Sequence, residues 1–147
     1  LPLCLISPVV LWVESFSKMH VEIVLKEKFL HVRASGHYSL DEMNAMSRAM
    51  FAALQQHPRA SCLIDCSQVT GSPTLNERFE WPRFTARLIE DLPAIQRQTR
   101  FAFVASEPFL DPGRFGETVA VNRGVNVVAT DSLDEALRWL GVETGSA

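Results

Sequence analysis

The sequence is poor in cysteine, carries no excess of charge of either sign, and has no apolar run long enough to span a bilayer. Each scarcity removes a class of protein. Three cysteines, an odd number, do not make a disulfide framework. Cys62 and Cys66 fall on one expected strand, about 13 Å apart at about 3.3 Å per residue. A bridge needs Cα atoms within about 7 Å, so they cannot pair with each other. No Cys or His cluster has zinc spacing, and neither a metal nor another cofactor is expected. A reduced, cytoplasmic setting is the reading that follows.

The net charge of −3 leaves no footprint for nucleic acid. Arginines gather between Arg78 and Arg100, but Glu77, Glu80, Glu90 and Asp91 dilute them into a mixed-charge face. There is no Walker A loop, no dinucleotide fingerprint and no Gly-x-Ser-x-Gly elbow. The four histidines, His20, His31, His37 and His57, all lie in the first part of the chain. None adjoins a serine or cysteine in a recognisable hydrolase motif. Cys66 is the best nucleophile available, yet buried cysteines are usually inert packing. No enzyme is expected.

What is present is an ordinary globular composition, 47% apolar and 21% charged, in 147 residues. That is one domain with enough chain to bury a core. Residues 1–18 stand apart: thirteen mostly apolar residues from Leu1 to Val13, interrupted by Pro2 and Pro8. The run is too short for a membrane span of about 20 residues and lacks the flanks of a signal peptide. We expect an extension outside the domain, with a docked segment covering an apolar patch as the alternative.

A regular pattern begins at Met19. Val21, Ile23 and Leu25 alternate, Glu27-Lys28 turns the chain, and residues 29–34 return as a second strand that Gly36 should break. Ser39-Leu40-Asp41-Glu42 has capping-box spacing, and the helix it starts should run to about Gln56, before Pro58. Met43, Met46, Met50 and Leu54 recur at helical spacing as its core face. Cys62-Leu63-Ile64 reads as a third strand ending in Asp65, followed by a polar loop to a second capping box, Thr74-Leu75-Asn76-Glu77. The next helix, over 75–95, should be kinked or interrupted at Pro82 and ended by Pro93.

In residues 100–105, Arg100 leads a continuous apolar run over 101–105, the mark of a central strand covered on both faces. Asp111-Pro112-Gly113 signals a turn into a helix through Phe115, Thr118, Val119 and Asn122, stopped by Gly124. A strand over 125–129 and a third capping box, Ser132-Leu133-Asp134-Glu135, complete the pattern, with Gly141 closing the last helix. Residues 142–147 should fray. The fold class is α/β: five strands and four helices in order ββαβαβαβα, a mixed, mostly parallel sheet with an opening antiparallel hairpin.

Residues from about Met19 to Gly141 resemble the SpoIIAA-like proteins of the STAS superfamily, whose founding members are bacterial anti-sigma-factor antagonists. The resemblance rests on the opening hairpin, Ser39-Leu40-Asp41-Glu42, Leu63-Ile64-Asp65-Cys66-Ser67, the run Phe101–Ala105 and, most distinctively, the tail Ser132–Leu140. It implies helices packed chiefly against one side of the sheet. In the antagonist branch a serine after the third strand is phosphorylated by a partner kinase, which places the corresponding site in Gly71-Ser72-Pro73-Thr74. That branch shows Asp-Ser-Ser-Gly-Leu where this chain has Gly71-Ser72-Pro73-Thr74-Leu75. Thr74 also has a structural job as N-cap, Ser72-Pro73 one as turn chemistry, and Asp65 one as an Asx-type anchor.

Two functions are therefore expected. The first is a non-catalytic regulatory or protein-interaction module, with Asp65, Ser67, Ser72 and Thr74 as the phosphorylation or interaction loop. The second is a binder of a small hydrophobic, lipid-like ligand among Phe79, Trp81, Phe84, Leu88, Phe109 and Phe115, in the less regular, aromatic-rich parts of the chain. A protein partner or hydrophobic small molecule, a homodimer and peripheral membrane contact are the associations these readings imply.

Overall fold

The computed structural model describes residues 8–93 and 96–142, the side chains of Gln96 and Phe115 excepted. Strands β1 (Val9–Ser15), β2 (Met19–Leu25) and β3 (Leu30–His37) form an antiparallel meander. Then β4 (Ser61–Thr70), β5 (Arg100–Val104) and β6 (Asn126–Thr130) add in parallel, so the sheet order is the chain order. Helices α1 (Leu40–Gln56), α2 (Leu75–Glu90) and α3 (Phe115–Asn122) are the crossovers, and α4 (Leu133–Leu140) follows the last strand. The architecture is α/β with a mixed sheet, as expected, but with six strands rather than five.

The added strand is β1, which comes from the segment expected to lie outside the domain. Val9, Val10 and Val13 are about half exposed, while Leu11, Trp12 and Phe16 pack against the core. Alternation there is broken by a register shift between Val10 and Trp12, and that irregularity conceals a strand pattern in the sequence. Residues 1–7, Ile95 and the tail 143–147 lie outside the described residues.

Connectivity dictates the layers. Three parallel crossovers advance in one direction across the sheet, and a common right-handed sense puts their helices on one face. Helix α4 makes no crossover and covers the opposite face, over β4, β5 and β6. The first core accordingly holds Val21, Ile23, Val32, Cys62, Ile64 and Phe101 under Met43, Met46, Met50 and Leu54 of α1. The second holds Phe29, Leu63, Ala102 and Val104 under Ala136, Leu137 and Leu140. Strand period assigns them: neighbours Leu63 and Ile64 face opposite layers, as do Ala102 and Phe103. Each fully buried Leu, Ile or Phe contributes about 1.5–3 kcal/mol relative to exposure.

Several local expectations change. Gly36 does not break β3; it lies inside the strand at φ +107°. Strand β4 does not end at Asp65 but runs to Thr70, because one extra residue between Asp65 and Gln68 makes a bulge that the pairing with β3 absorbs. Asp65 Oδ1 accepts from the Ser67 amide at 3.0 Å, an Asx-type contact made within the strand rather than in a loop. Helix α2 is one 16-residue helix with Pro82 inside it, not two pieces. It ends at Glu90, before Pro93.

Of the three expected capping boxes, only Thr74/Glu77 is reciprocal: Glu77 N donates to Thr74 Oγ1 at 3.2 Å and Thr74 N to Glu77 Oε1 at 2.9 Å. In α1 the Glu42 carboxylate instead accepts from the Lys18 and Met19 amides, at 3.0 and 2.9 Å, tying the entrance of β2 to the helix. Burial alone would raise its pKa, but those amides, Ser39 and the Lys18 charge together hold the carboxyl below its ordinary value. In α4 the box is relayed through a threonine. Ser132 N donates to Thr130 Oγ1, whose hydroxyl donates to Glu135 Oε2.

Candidate functional site

The carboxyl ends of β3, β4, β5 and β6 open toward the same end of the sheet, the usual ligand edge of an open α/β sheet. There β4 leaves through Gly71-Ser72-Pro73 into α2. Gly71 has φ +110°, and a Cβ built on it would come within 3.1 Å of His37 Cε1 and 3.3 Å of Tyr38 Cβ. Only glycine lets this loop close on the end of β3. Ser72 and Thr74 are exposed, Pro73 is buried, and Leu75 projects with 72% of its surface open to solvent. No other large apolar residue among those described is as exposed.

Behind this loop lies a cavity of about 110 Å³. Arg78, Trp81 and Pro82 of α2 cover it, Ala120 of α3 walls it, and Ile64, Phe101 and Phe103 floor it. Arg78 holds the far rim by donating to the Phe109 carbonyl at 2.9 Å and the Pro108 carbonyl at 2.6 Å. Phe109 packs between Tyr38, tilted at 5.3 Å between ring centroids, and Phe103, edge-on at 5.8 Å. Trp81 packs on Phe103 at 5.3 Å and donates through Nε1 to Ser47 Oγ of α1 at 2.9 Å. At the sheet edge Glu117 Oε2 accepts from the Ala129 amide at 2.7 Å, covering an edge donor.

Tyr38 is the chain's one tyrosine, 8% exposed, and its hydroxyl has no hydrogen-bond partner among the described residues. Burial, and then the Glu77 carboxylate, raise its pKa against the opposing charge of Arg78, so the phenol stays protonated.

The expected site residues separate. Trp81 and Phe109 line the cavity, while Phe79, Phe84 and Leu88 do not. The Phe79 ring lies under the guanidiniums of Arg83, at 4.8 Å, and Arg123, at 5.6 Å. Phe84 faces Arg48 at 4.8 Å, and Leu88 packs against the core. The Phe115 side chain is outside those described. Ser72 and Thr74 share the exposed loop, whereas Asp65 and Ser67 lie at the β4 bulge, about 16 Å along the strand from its end at Thr70 for Asp65.

Sequence reasoning missed Tyr38, Arg78 and Phe103. A single tyrosine directly before an N-cap, and an arginine three residues before Trp81, were the signals available.

Nucleophilic chemistry has little support here. Cys62 and Cys66 are fully buried, and burial pushes both thiols well up in pKa, with Asp65 adding to it at Cys66. Ser15 Oγ meets His20 Nδ1 at 2.8 Å, and His20 Nε2 stands 3.5 Å from Glu22 Oε1. This row lies across β1 and β2, away from the cavity. Among the described residues no group of three His, Cys, Asp or Glu side chains could hold a metal, and no helix is long and apolar enough to cross a membrane.

A family model described as SpoIIAA-like matches residues 29–141. The chain belongs to the SpoIIAA-like family. Among solved structures it is similar to the crystal structure of an anti-sigma factor antagonist from Mycobacterium paratuberculosis, at 19% identity and a TM-score of 0.52. That match covers 92% of this chain and 95% of the other, and at this identity it speaks for the fold. A comparison with curated proteins found no match. The family match begins inside the β2–β3 turn, so β1 and β2 lie outside it.

Proposed function

We propose that this SpoIIAA-like protein is a non-catalytic regulatory module that binds a protein partner through the 71–74 loop and the first turns of α2. The observation that carries this reading is Leu75, an apolar side chain 72% exposed on a helix start held rigid by a reciprocal capping box. An exposed apolar side chain on a fixed helix start gains free energy when a partner buries it. The likeness to an anti-sigma factor antagonist supports an anti-sigma factor as the class of partner. A phosphate on Ser72 or Thr74 would put nearly two negative charges at the positive end of α2 and change that surface.

The experiment is affinity capture from the native cell with the wild type and with Leu75→Asp. Loss of the captured partner from a variant with an unchanged circular dichroism spectrum is the expected result. Equal capture by both proteins refutes this surface. Intact-mass analysis of the native protein, followed by digestion and peptide sequencing, tests the switch by a phosphate on the peptide containing Ser72 and Thr74.

A second reading is favoured by the cavity itself: a small apolar molecule bound under α2. It shares Trp81 and Phe109 with the site expected from sequence and needs neither Ser72 nor Thr74.

A further inference from the structure

We propose that the partner of the 71–74 surface presents a basic protein segment, an apolar contact for Leu75 ringed by lysine or arginine side chains. The inference rests on the partner-binding reading above and names the chemistry of that partner.

Topology gathers charge at one end of the molecule. All four helices start where the parallel strands β3 to β6 finish, and those strands stand about 4.8 Å apart. In the connections and first helical turns, residues 38–43, 71–78, 105–118 and 131–136, nine carboxylates stand against two guanidiniums, Arg78 and Arg114. Nine against two is −7, in a chain of net −3, so the remainder carries +4. Exposed Lys28, Arg97, Arg100 and Arg138 lie at the opposite end, where Arg100 meets the last turn of α4.

Helix dipoles do not cancel the acidic end. Four helix starts supply about +0.5 each, about +2 together. Four carboxylates are engaged inside the fold: Glu42, Glu77 and Glu117 accept from backbone amides and Glu135 from Thr130. Asp41, Glu107, Asp131 and Asp134 are exposed and make no ion pair or side-chain hydrogen bond among the described residues. Glu107 and Asp131 lie outside the helices, so helix capping does not account for them.

Position joins this charge to Leu75. The connection from β4 to α2 stands between that from β3, with Asp41, and that from β5, with Glu107, and Asp131 follows one strand further. An apolar side chain 72% exposed is thus flanked on both sides by unpaired carboxylates. Burial of Leu75 supplies the anchor. The rim charges steer and orient a cationic surface, because exposed charges set encounter rate and register more than affinity. An acidic partner would be repelled at this end and drawn to the other.

The test is a heteronuclear NMR titration of the full chain with three synthetic amphipathic peptides of equal length, built from Leu and Lys, from Leu and Glu, and from Ser and Lys. The Leu/Lys peptide should bind and shift the resonances of residues 72–77, Glu107 and Asp131. Its binding should weaken about 10-fold as salt rises from about 20 to about 500 mM. The Ser/Lys peptide should bind about 10-fold more weakly, and Leu75→Ser should remove that difference. Asp41→Asn/Glu107→Gln/Asp131→Asn keeps the side-chain shapes and should flatten the salt dependence while the spectrum stays dispersed. If that variant fails to fold, the wild type's preference for Leu/Lys over Leu/Glu decides the matter alone. Leu/Glu binding at the loop as tight as Leu/Lys, Leu/Lys shifts confined to the opposite end, or no binding by any peptide overturns the inference. A native partner lost from Leu75→Asp but captured equally by the neutralised variant overturns the basic chemistry and leaves the docking surface standing. Equal capture by Leu75→Asp overturns both.

Discussion

The two faces of the sheet solve the same packing problem differently. On the α4 face, small and branched residues interlock: Ala102 and Val104 meet Ala136, Leu137 and Leu140, all nearly free of solvent. One short helix lying over three strands can choose its position without competition. On the opposite face three crossover helices must share the sheet, and large rings span the gaps between them. The cavity lies on that side. Incomplete packing and the exposed loop thus occur at the same end of the molecule, where the parallel strands finish.

The largest expected effect is on the tight face. Leu137→Ala should cost about 3 kcal/mol, because a fully enclosed site cannot collapse around the lost atoms. Urea denaturation measures it, and a cost below about 1 kcal/mol would contradict the contrast between the faces.

Next in size is a pH effect at His31, on the same face of the sheet as Leu63 and α4. This ring is 6% exposed, both nitrogens lack hydrogen-bond partners among the described residues, and its pKa is lowered to about 4 by burial first and then by Lys26 and Arg33. A folded-state value below the unfolded value of about 6.5 means the unfolded chain binds more protons between them. Stability should therefore fall as pH drops from about 6.5 toward 4, by roughly 2–3 kcal/mol from this group. Thermal melts across that window check it, and His31→Phe should flatten the slope.

Smaller still is Thr74→Ala, which removes the cap of α2 and should cost about 1 kcal/mol while leaving the α4 face intact. Hydrogen exchange confined to the first turn of α2 would show it. The smallest effect belongs to Ala129→Val, which adds two methyl groups beside the cavity in a strand. Its stability should stay within about 0.5 kcal/mol of wild type, whereas overpacking a tight site typically costs 1–3 kcal/mol.

Elements with a strong period were legible in the sequence. The Met43–Leu54 stripe, the Phe101–Val104 strand and Gly141 as C-cap at φ +76° all stand where residue spacing puts them. So did the location of the loop at Ser72 and Thr74, since turn residues followed by a capping box mark a helix start locally. Strand β1 was not legible, because a bulge breaks its alternation and its outer residues contact solvent. The candidate ligand site was half legible. Trp81 and Phe109 were found, but Phe79 and Phe84 share the same helix and composition and turn to arginines instead. Nothing in a linear pattern says which side of an amphipathic aromatic helix meets a neighbour with space to spare.

By itself, then, the amino-acid order determined the alternation of strands and helices, the SpoIIAA-like resemblance and the glycine and threonine that shape the 71–74 turn. These depend on period, φ preference and capping, which act within a few residues. Only the tertiary structure decided where acids capable of capping would go. Glu77 closes its own box, while Glu42 finds the amides at the entrance of β2 and Glu135 reaches Thr130. It also decided that Tyr38 would be buried beside a cavity, without a hydrogen-bond partner among the described residues. Both outcomes depend on which distant groups the packed helices bring near. A carboxylate or hydroxyl takes the best partner within reach, and only the packed fold sets that reach.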